Sequence, residues 1–128
     1  MGKEKEMEEI LVIDDEPMIR SMMETTLSSM GYAVTAAGSV GEAIEMLEND
    51  AAKFDALVTD FNLEDGTGLE VMQSAKSKTE DTPVILMTGS LLVTQEESLK
   101  SGFSAFFPKP FSCIEVGRKI DDLLGKAS

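Results

Sequence analysis

Four apolar runs in this chain each end on a side chain suited to phosphoryl chemistry. Ile10–Ile13 leads into Asp14 and Asp15, and Ala56–Thr59 leads into Asp60. Val84–Met87 leads into Thr88, and Ala105–Phe107 passes through Pro108 into Lys109. If the runs are strands of one open parallel sheet, their carboxyl ends share a rim, and ligands bind in the crevice there. Asp14, Asp15 and Asp60 would then be neighbours. Close carboxylates raise each other's pKa unless a cation sits between them. Such an oxygen-only set suits Mg2+, or Mn2+ in its place, together with phosphate oxygens. Each residue also has a plainer reading: Asp14–Asp15 can cap a helix beginning at Pro17, and Asp60 a turn. Thr88 can be a strand or turn residue, and Lys109 a solvated lysine held between Pro108 and Pro110.

The elements that must position these groups follow from the alternation of apolar runs with segments of helical spacing, the mark of repeated βα units. Strands are expected near Glu9–Asp14, Ala33–Ala36, Ala56–Thr59, Pro83–Met87 and Ser104–Phe107. Helices are expected near Pro17–Met30, Val40–Asn49, Gly68–Ser77, Thr94–Ser101 and Cys113–Leu124. Strands apolar at consecutive positions are those covered by helices on both faces. Pro17 suits a first helical turn, Gly31 and Gly102 suit left-handed helix ends, and Ser39 with Glu42 has the capping-box spacing. The expected fold class is α/β, a single doubly wound five-stranded parallel sheet. Right-handed crossovers leave few strand orders. Order 2-1-3-4-5, adopted from known flavodoxin-like sheets rather than dictated by the residues, sets the first and third strands side by side.

A chain of 128 residues, 42% hydrophobic and 27% charged, suits one compact domain, here residues 9–125 after a charged, frayed lead-in over 1–8. The net charge of −13 argues against nucleic acid as a partner. No apolar stretch reaches the roughly 20 residues of a membrane span, and the charged start lacks a signal's apolar segment. One cysteine, Cys113, excludes an internal disulfide and fits a reducing, cytoplasmic setting. The chain has no histidine, so any phosphohistidine must belong to a partner.

From about Glu8 to Leu124 the chain resembles the receiver domain of two-component response regulators. The resemblance is carried by Asp14–Asp15, Asp60, Thr88–Gly89 and Phe106–Phe111, each after its expected strand. It implies a phosphoacceptor at Asp60 and metal ligation by Asp15, Asp14, Asp60 and the backbone carbonyl of Asn62. It further implies that Thr88 and Lys109 hold the phosphoryl group, that Phe106 stands in the place of a switch aromatic, and that Lys109–Pro110 is cis. The implied donor is a sensor histidine kinase or a histidine phosphotransfer protein. The implied receiver of the signal is a downstream output protein or an output domain outside this sequence, and a homodimer is allowed. Such a protein is a regulator that assists its own phosphorylation and dephosphorylation rather than an enzyme.

Glu64 stands where receiver loops commonly carry proline, and Ser90–Val93 is unusually apolar for a loop. Its plain reading is an early start of the fourth helix, and its sharper one an exposed docking patch. Met18, Met22, Met23 and Met30 read as adaptable core packing. Cys113 opens the last helix, where the dipole can lower its pKa. Three other functions remain open. A haloacid-dehalogenase-like phosphatase would need an acid where Asn62 stands. A flavodoxin-like cofactor binder would place its phosphate against Asp14–Asp15. A receiver-like docking module would not use phosphorylation at all.

Overall fold

The computed structural model describes residues 7–49 and 53–126. In chain order the elements are β1 (Glu9–Ile13), α1 (Pro17–Ser29), β2 (Ala33–Ala37), α2 (Val40–Glu48), β3 (Ala56–Asp60), β4 (Asn62–Leu63) and β5 (Gly66–Thr67). They continue with α3 (Gly68–Lys78), β6 (Val84–Thr88), α4 (Gln95–Ser101), β7 (Ala105–Pro108) and α5 (Cys113–Leu123). β2-β1-β3-β6-β7 form one sheet with parallel pairing throughout. This is the expected order 2-1-3-4-5, and β4 and β5 form a separate antiparallel hairpin in addition to the five expected strands.

Side chains alternate across a strand, so the continuous apolar runs feed two cores. On one face Leu11, Ile13, Leu57 and Leu86 pack with Ala43 and Leu47 of α2 and Val71 and Ala75 of α3. On the other, Ile10, Val12, Val58 and Ile85 pack with Met23 and Leu27 of α1 and Val116 and Ile120 of α5. Tyr32 is fully buried on this second side, where its hydroxyl donates to Asp121 Oδ1 and Lys126 Nζ lies 4.3 Å from its ring centroid. Burial first, then the bond to Asp121, holds the Tyr32 phenol above its ordinary pKa.

The helix signals act much as the sequence implies. Ser39, Thr94 and Ser112 accept hydrogen bonds from Glu42 N, Glu97 N and Glu115 N, relieving donors that a first turn leaves unpaired. The Ser39 capping box closes on one side only, because Glu42 Oε1 accepts from Gly38 N at 2.6 Å instead. Gly31 and Gly102 take the positive φ expected of them, 98° and 119°.

Other expectations need correction. Ser90–Val93 is not the start of α4. Thr88 Oγ1 accepts from Ser90 N at 3.0 Å, and Ser90 Oγ from Leu92 N at 3.1 Å, which holds the segment in turns until Thr94 caps the helix. Met23 and Met30 pack in the core, but Met18 and Met22 are 72% and 48% exposed, because they lie on the side of α1 away from the sheet. Of the lead-in, residues 1–6 lie outside the described residues, and Glu8 is not frayed. Its carbonyl accepts from Ala33 N at 2.9 Å and its carboxylate from Lys126 Nζ at 3.1 Å. Cys113 is held above its ordinary pKa by burial, which outweighs the lowering effect of its hydrogen bond with Thr26. Among the described residues, no helix is long and apolar enough to cross a membrane.

Candidate functional site

The site is assembled by strand register. Leucine and valine pairs across β1–β3 and β3–β6 set the strands level, so that Ile13 lies beside Thr59 and Asp60 beside Met87. The first polar residues beyond these pairs therefore emerge together at one rim. Asp14 N donates to Ala37 O at 3.1 Å, Phe61 N to Met87 O at 3.0 Å and Lys109 N to Thr88 O at 2.7 Å. These bonds fix the backbone of three separate strand ends.

Carboxylate oxygens of Asp14, Asp15 and Asp60 all lie within 4.8 Å of one another. Asp14 is fully buried and Asp60 is 6% exposed, whereas Asp15 is half-buried. Lys109 Nζ reaches across the sheet to Asp14 Oδ2 at 3.1 Å and Asp60 Oδ2 at 3.4 Å, and approaches Glu16 Oε1 at 3.5 Å. The Lys109–Pro110 bond is cis, as the resemblance implied. Gly89 flanks the Lys109 stem, and a Cβ there would meet Lys109 Cβ at 3.8 Å.

Burial holds the Asp60 carboxyl above the usual carboxylate range, and the charge of Asp14 adds to this against the opposing pull of Lys109. Burial likewise raises Asp14, although Glu16 N donates to its Oδ1 at 2.9 Å and Lys109 is adjacent. For Lys109, burial alone would lower the pKa, but the bonds and charges of Asp14 and Asp60 outweigh it and the ammonium is strengthened. One ammonium thus faces three carboxylates. The hard oxygen donors and the charge left over fit a divalent cation, with Asp14, Asp15 and Asp60 as its carboxylate ligands.

The remaining predicted residues lie around this centre. Thr88 is 1% exposed at the end of β6, and its hydroxyl accepts from Ser90 N while keeping an O–H to donate. Asn62 is exposed in the β4–β5 hairpin, where it pairs with Thr67. Phe106 sits beside Leu86 on β7, half-buried against the α2–α3 core together with Val93. Asp14 also fulfils the plainer reading in part, since its bond to Glu16 N shapes the entry to α1.

Three contributors escaped sequence reasoning. Arg20 donates from Nη1 to the Asp14 carbonyl at 2.7 Å, securing the β1 end from α1. Asp65 accepts from Val40 N at 2.8 Å and Gly41 N at 2.9 Å, so it caps α2 and ties the loop after Asp60 to that helix. Those two bonds hold the Asp65 carboxyl below its usual range. Gly68 N donates to Phe61 O at 2.8 Å, and a Cβ at Gly68 would collide with the Asp60 carbonyl. Only the Gly-rich run Gly66–Gly68 hinted at such a close approach.

Comparison with known proteins agrees with this geometry. Residues 10–121 match the family description "response regulator receiver domain". The chain is 38% identical over 109 residues to the response regulator protein PilR of Pseudomonas aeruginosa, covering 84% of this chain and 23% of that protein. It is 34% identical over 116 residues to the response regulator MprA of Mycobacterium leprae, covering 90% of this chain and 50% of that protein. The chain therefore spans half or less of the length of these curated relatives. Among solved structures, a response regulator receiver domain protein from Clostridium thermocellum superposes with a TM-score of 0.85 at 25% identity, covering 93% of this chain and 95% of that one. TrrA from Thermotoga maritima, solved in complex with Mg2+-BeF, gives 0.78 at 28% identity, covering 91% and 99%. The acidic rim and these likenesses point the same way: the chain belongs to the response regulator receiver domain family.

Proposed function

We propose that this domain accepts a phosphoryl group on Asp60 from a phosphohistidine of a partner and passes the change to an output protein or domain. The observation that carries the reading is the placement of Asp60. It is buried at a strand end, with a lysine ammonium at 3.4 Å and two further carboxylates beside it. In the transfer an Asp60 carboxylate oxygen forms the new bond to phosphorus while the P–N bond of the phosphohistidine breaks. The electron pair passes to the imidazole nitrogen, which takes up a proton. This is covalent catalysis by a carboxylate, with positioning and charge neutralisation as the main contributions of the protein.

Lys109 already bridges Asp14 and Asp60 and would pair with the incoming oxygens, while the Thr88 hydroxyl offers a donor from the next strand. A magnesium ion held by Asp14, Asp15, Asp60 and the Asn62 carbonyl would supply the remaining positive charge; manganese has the same oxygen preference. Phe106, three residues before Lys109, is the aromatic assigned to the switch. The donor is a sensor histidine kinase or a histidine phosphotransfer protein in the cytoplasm. The domain acts as a regulator and not as a turnover enzyme.

The test is incubation with a small-molecule phosphodonor and Mg2+, followed by intact mass. Wild type should gain one phosphoryl group, and Asp60→Asn none. An equal adduct on both proteins refutes the assignment of Asp60. No adduct on wild type with either a small donor or a phosphorylated histidine phosphotransfer protein favours docking without phosphorylation.

A further inference from the structure

The segment between Thr88 and α4 exposes two adjacent leucines almost fully, Leu91 at 98% and Leu92 at 89%. Apolar residues scattered singly over a surface need no explanation, but a contiguous apolar patch beside a groove marks an interaction site. Here Leu92 stands at the mouth of an open groove of about 380 Å3, walled by Phe61, Leu69, Val93 and Phe103, with Glu97 on its edge. Ser98 and Ser101 also line it, but their hydroxyls donate to the Thr94 and Glu97 carbonyls at 2.8 and 2.9 Å. The α4 wall therefore offers little unmet polarity.

Acidic residues outnumber basic ones in the stretches that form this groove. Residues 54–75 and 79–99, which carry the groove walls from β3, α3 and the loop before α4, contain no Lys or Arg. They include Glu64, Asp65, Glu70, Glu96 and Glu97. The nearest cations in sequence are engaged elsewhere. Lys100 pairs with Glu96 at 3.5 Å, and Lys76 donates to the Thr82 carbonyl at 3.2 Å. Of the groove's described lining residues, Glu97 is the one that ionises.

We infer that this groove, between the start of α3 and α4, docks an amphipathic basic segment of another protein. One or two leucine- or phenylalanine-sized side chains enter between Leu69 and Val93, and flanking Lys or Arg residues face Glu97. A helix laid in a groove presents anchors at this kind of spacing, and complementary charge sets partner choice and approach. A second copy of this chain fits poorly, because it brings another −13 of charge toward the same acidic edge. The docking does not depend on phosphorylation, so it is tested on the unmodified chain and stands or falls apart from the role of Asp60.

The probe is a synthetic helical peptide with Leu at positions i, i+3, i+4 and i+7 and Lys elsewhere, titrated into the labelled full chain. Two controls replace all Lys by Glu or all Leu by Ala. The Leu–Lys peptide should shift the amide signals of Leu69, Val93, Ser101 and Phe103. The exposed-site changes Leu92→Ser and Glu97→Lys should each weaken binding, by about tenfold for the lost leucine contact. Equal binding of either control peptide would overturn the proposal. So would shifts spread over the acidic surface that ignore Leu92→Ser. Sedimentation showing a dimer of the free chain that Leu92→Ser dissolves would assign the groove to a second copy and overturn it too.

Discussion

Asp60→Asn should make the cation-free protein more stable, although it removes the residue at the centre of the site. At 3.4 Å from Lys109 Nζ, Asp60 gains about 5 kcal/mol of attraction at an effective dielectric near 20. An Asp14 oxygen within 4.8 Å costs it at least about 3.5 kcal/mol on the same scale. The two nearly cancel, so the cost of burying the carboxylate decides the sign, and that cost is several kcal/mol per ion. Burial is also the largest cause of the raised Asp60 pKa. The carboxamide keeps the shape and loses the charge, so the expected gain is about 1–3 kcal/mol, or several degrees in Tm for a domain of this size.

The pH dependence gives the sign a second check. A carboxyl whose folded pKa lies above its unfolded value near 3.8 binds protons more tightly when folded. Stability then falls as pH rises through the folded pKa. The advantage of Asp60→Asn over wild type should therefore be present at pH 7 and shrink as pH approaches 3.8. The assay is urea unfolding in the presence of a chelator at several pH values, with the slope m checked for constancy. A mutant less stable than wild type at pH 7 without divalent cation would falsify the reasoning. Adding Mg2+ should narrow or reverse the gap, since a ligand held only by the folded state adds about 2.7 kcal/mol at a hundred times its Kd.

Three further perturbations test the frame around Asp60. Lys109→Met leaves Asp14 and Asp60 buried without their shared ammonium and should cost about 3–5 kcal/mol by chelated urea unfolding. Gly68→Ala forces a methyl against the Asp60 carbonyl and within 3.1 Å of Thr59 Cγ2. It should cost about 1–3 kcal/mol and slow phosphorylation by a small donor, with fold retention checked by circular dichroism. Asp65→Ala removes both bonds to the first turn of α2 and should lower Tm at pH 7. Because those bonds depress the Asp65 pKa, the difference from wild type should persist above pH 3.8 and disappear as pH falls through the lowered value.

The sheet and its strand ends were legible because two-sided burial leaves a simple trace: three or four apolar residues in a row before the strand end. Ile10–Ile13 before Asp14 and Val84–Met87 before Thr88 are such traces, whereas the register that sets Asp60 beside Met87 is seen only in the folded sheet. The loops were less legible because their structure rests on side chain to backbone bonds between residues far apart in sequence. Asp65 meets Val40 and Gly41 across 25 and 24 residues, and no local pattern encodes that. Arg20 reaches the Asp14 carbonyl from only six residues away, but that bond depends on how α1 lies against the end of β1. Ser90–Val93 misled for a related reason: its apolar composition suits a helix, but the Thr88 and Ser90 hydroxyls give the backbone a competing set of bonds. Met18 and Met22 show the limit of composition, since methionine is adaptable enough to leave its place in the core undetermined.

Glu64, where receiver loops commonly carry proline, raises the question of what stiffens the loop after Asp60. Proline would do so by restricting the chain itself. Here the restraint comes from outside. Asp65 anchors the loop to α2, Gly68 N holds the Phe61 carbonyl, and Thr67 N donates to Glu70 Oε1 at 3.0 Å. All three restraints use groups that fold into place with the neighbouring helices, so the geometry beside Asp60 depends on α2 and α3 being docked. A loop stiffened by proline would keep its shape when a helix loosens. This one would lose it, and so Asp65→Ala should slow phosphorylation of Asp60 as well as lower Tm, even though Asp65 lies outside the acidic centre. An unchanged phosphorylation rate in that mutant would show that the hairpin holds its shape without α2.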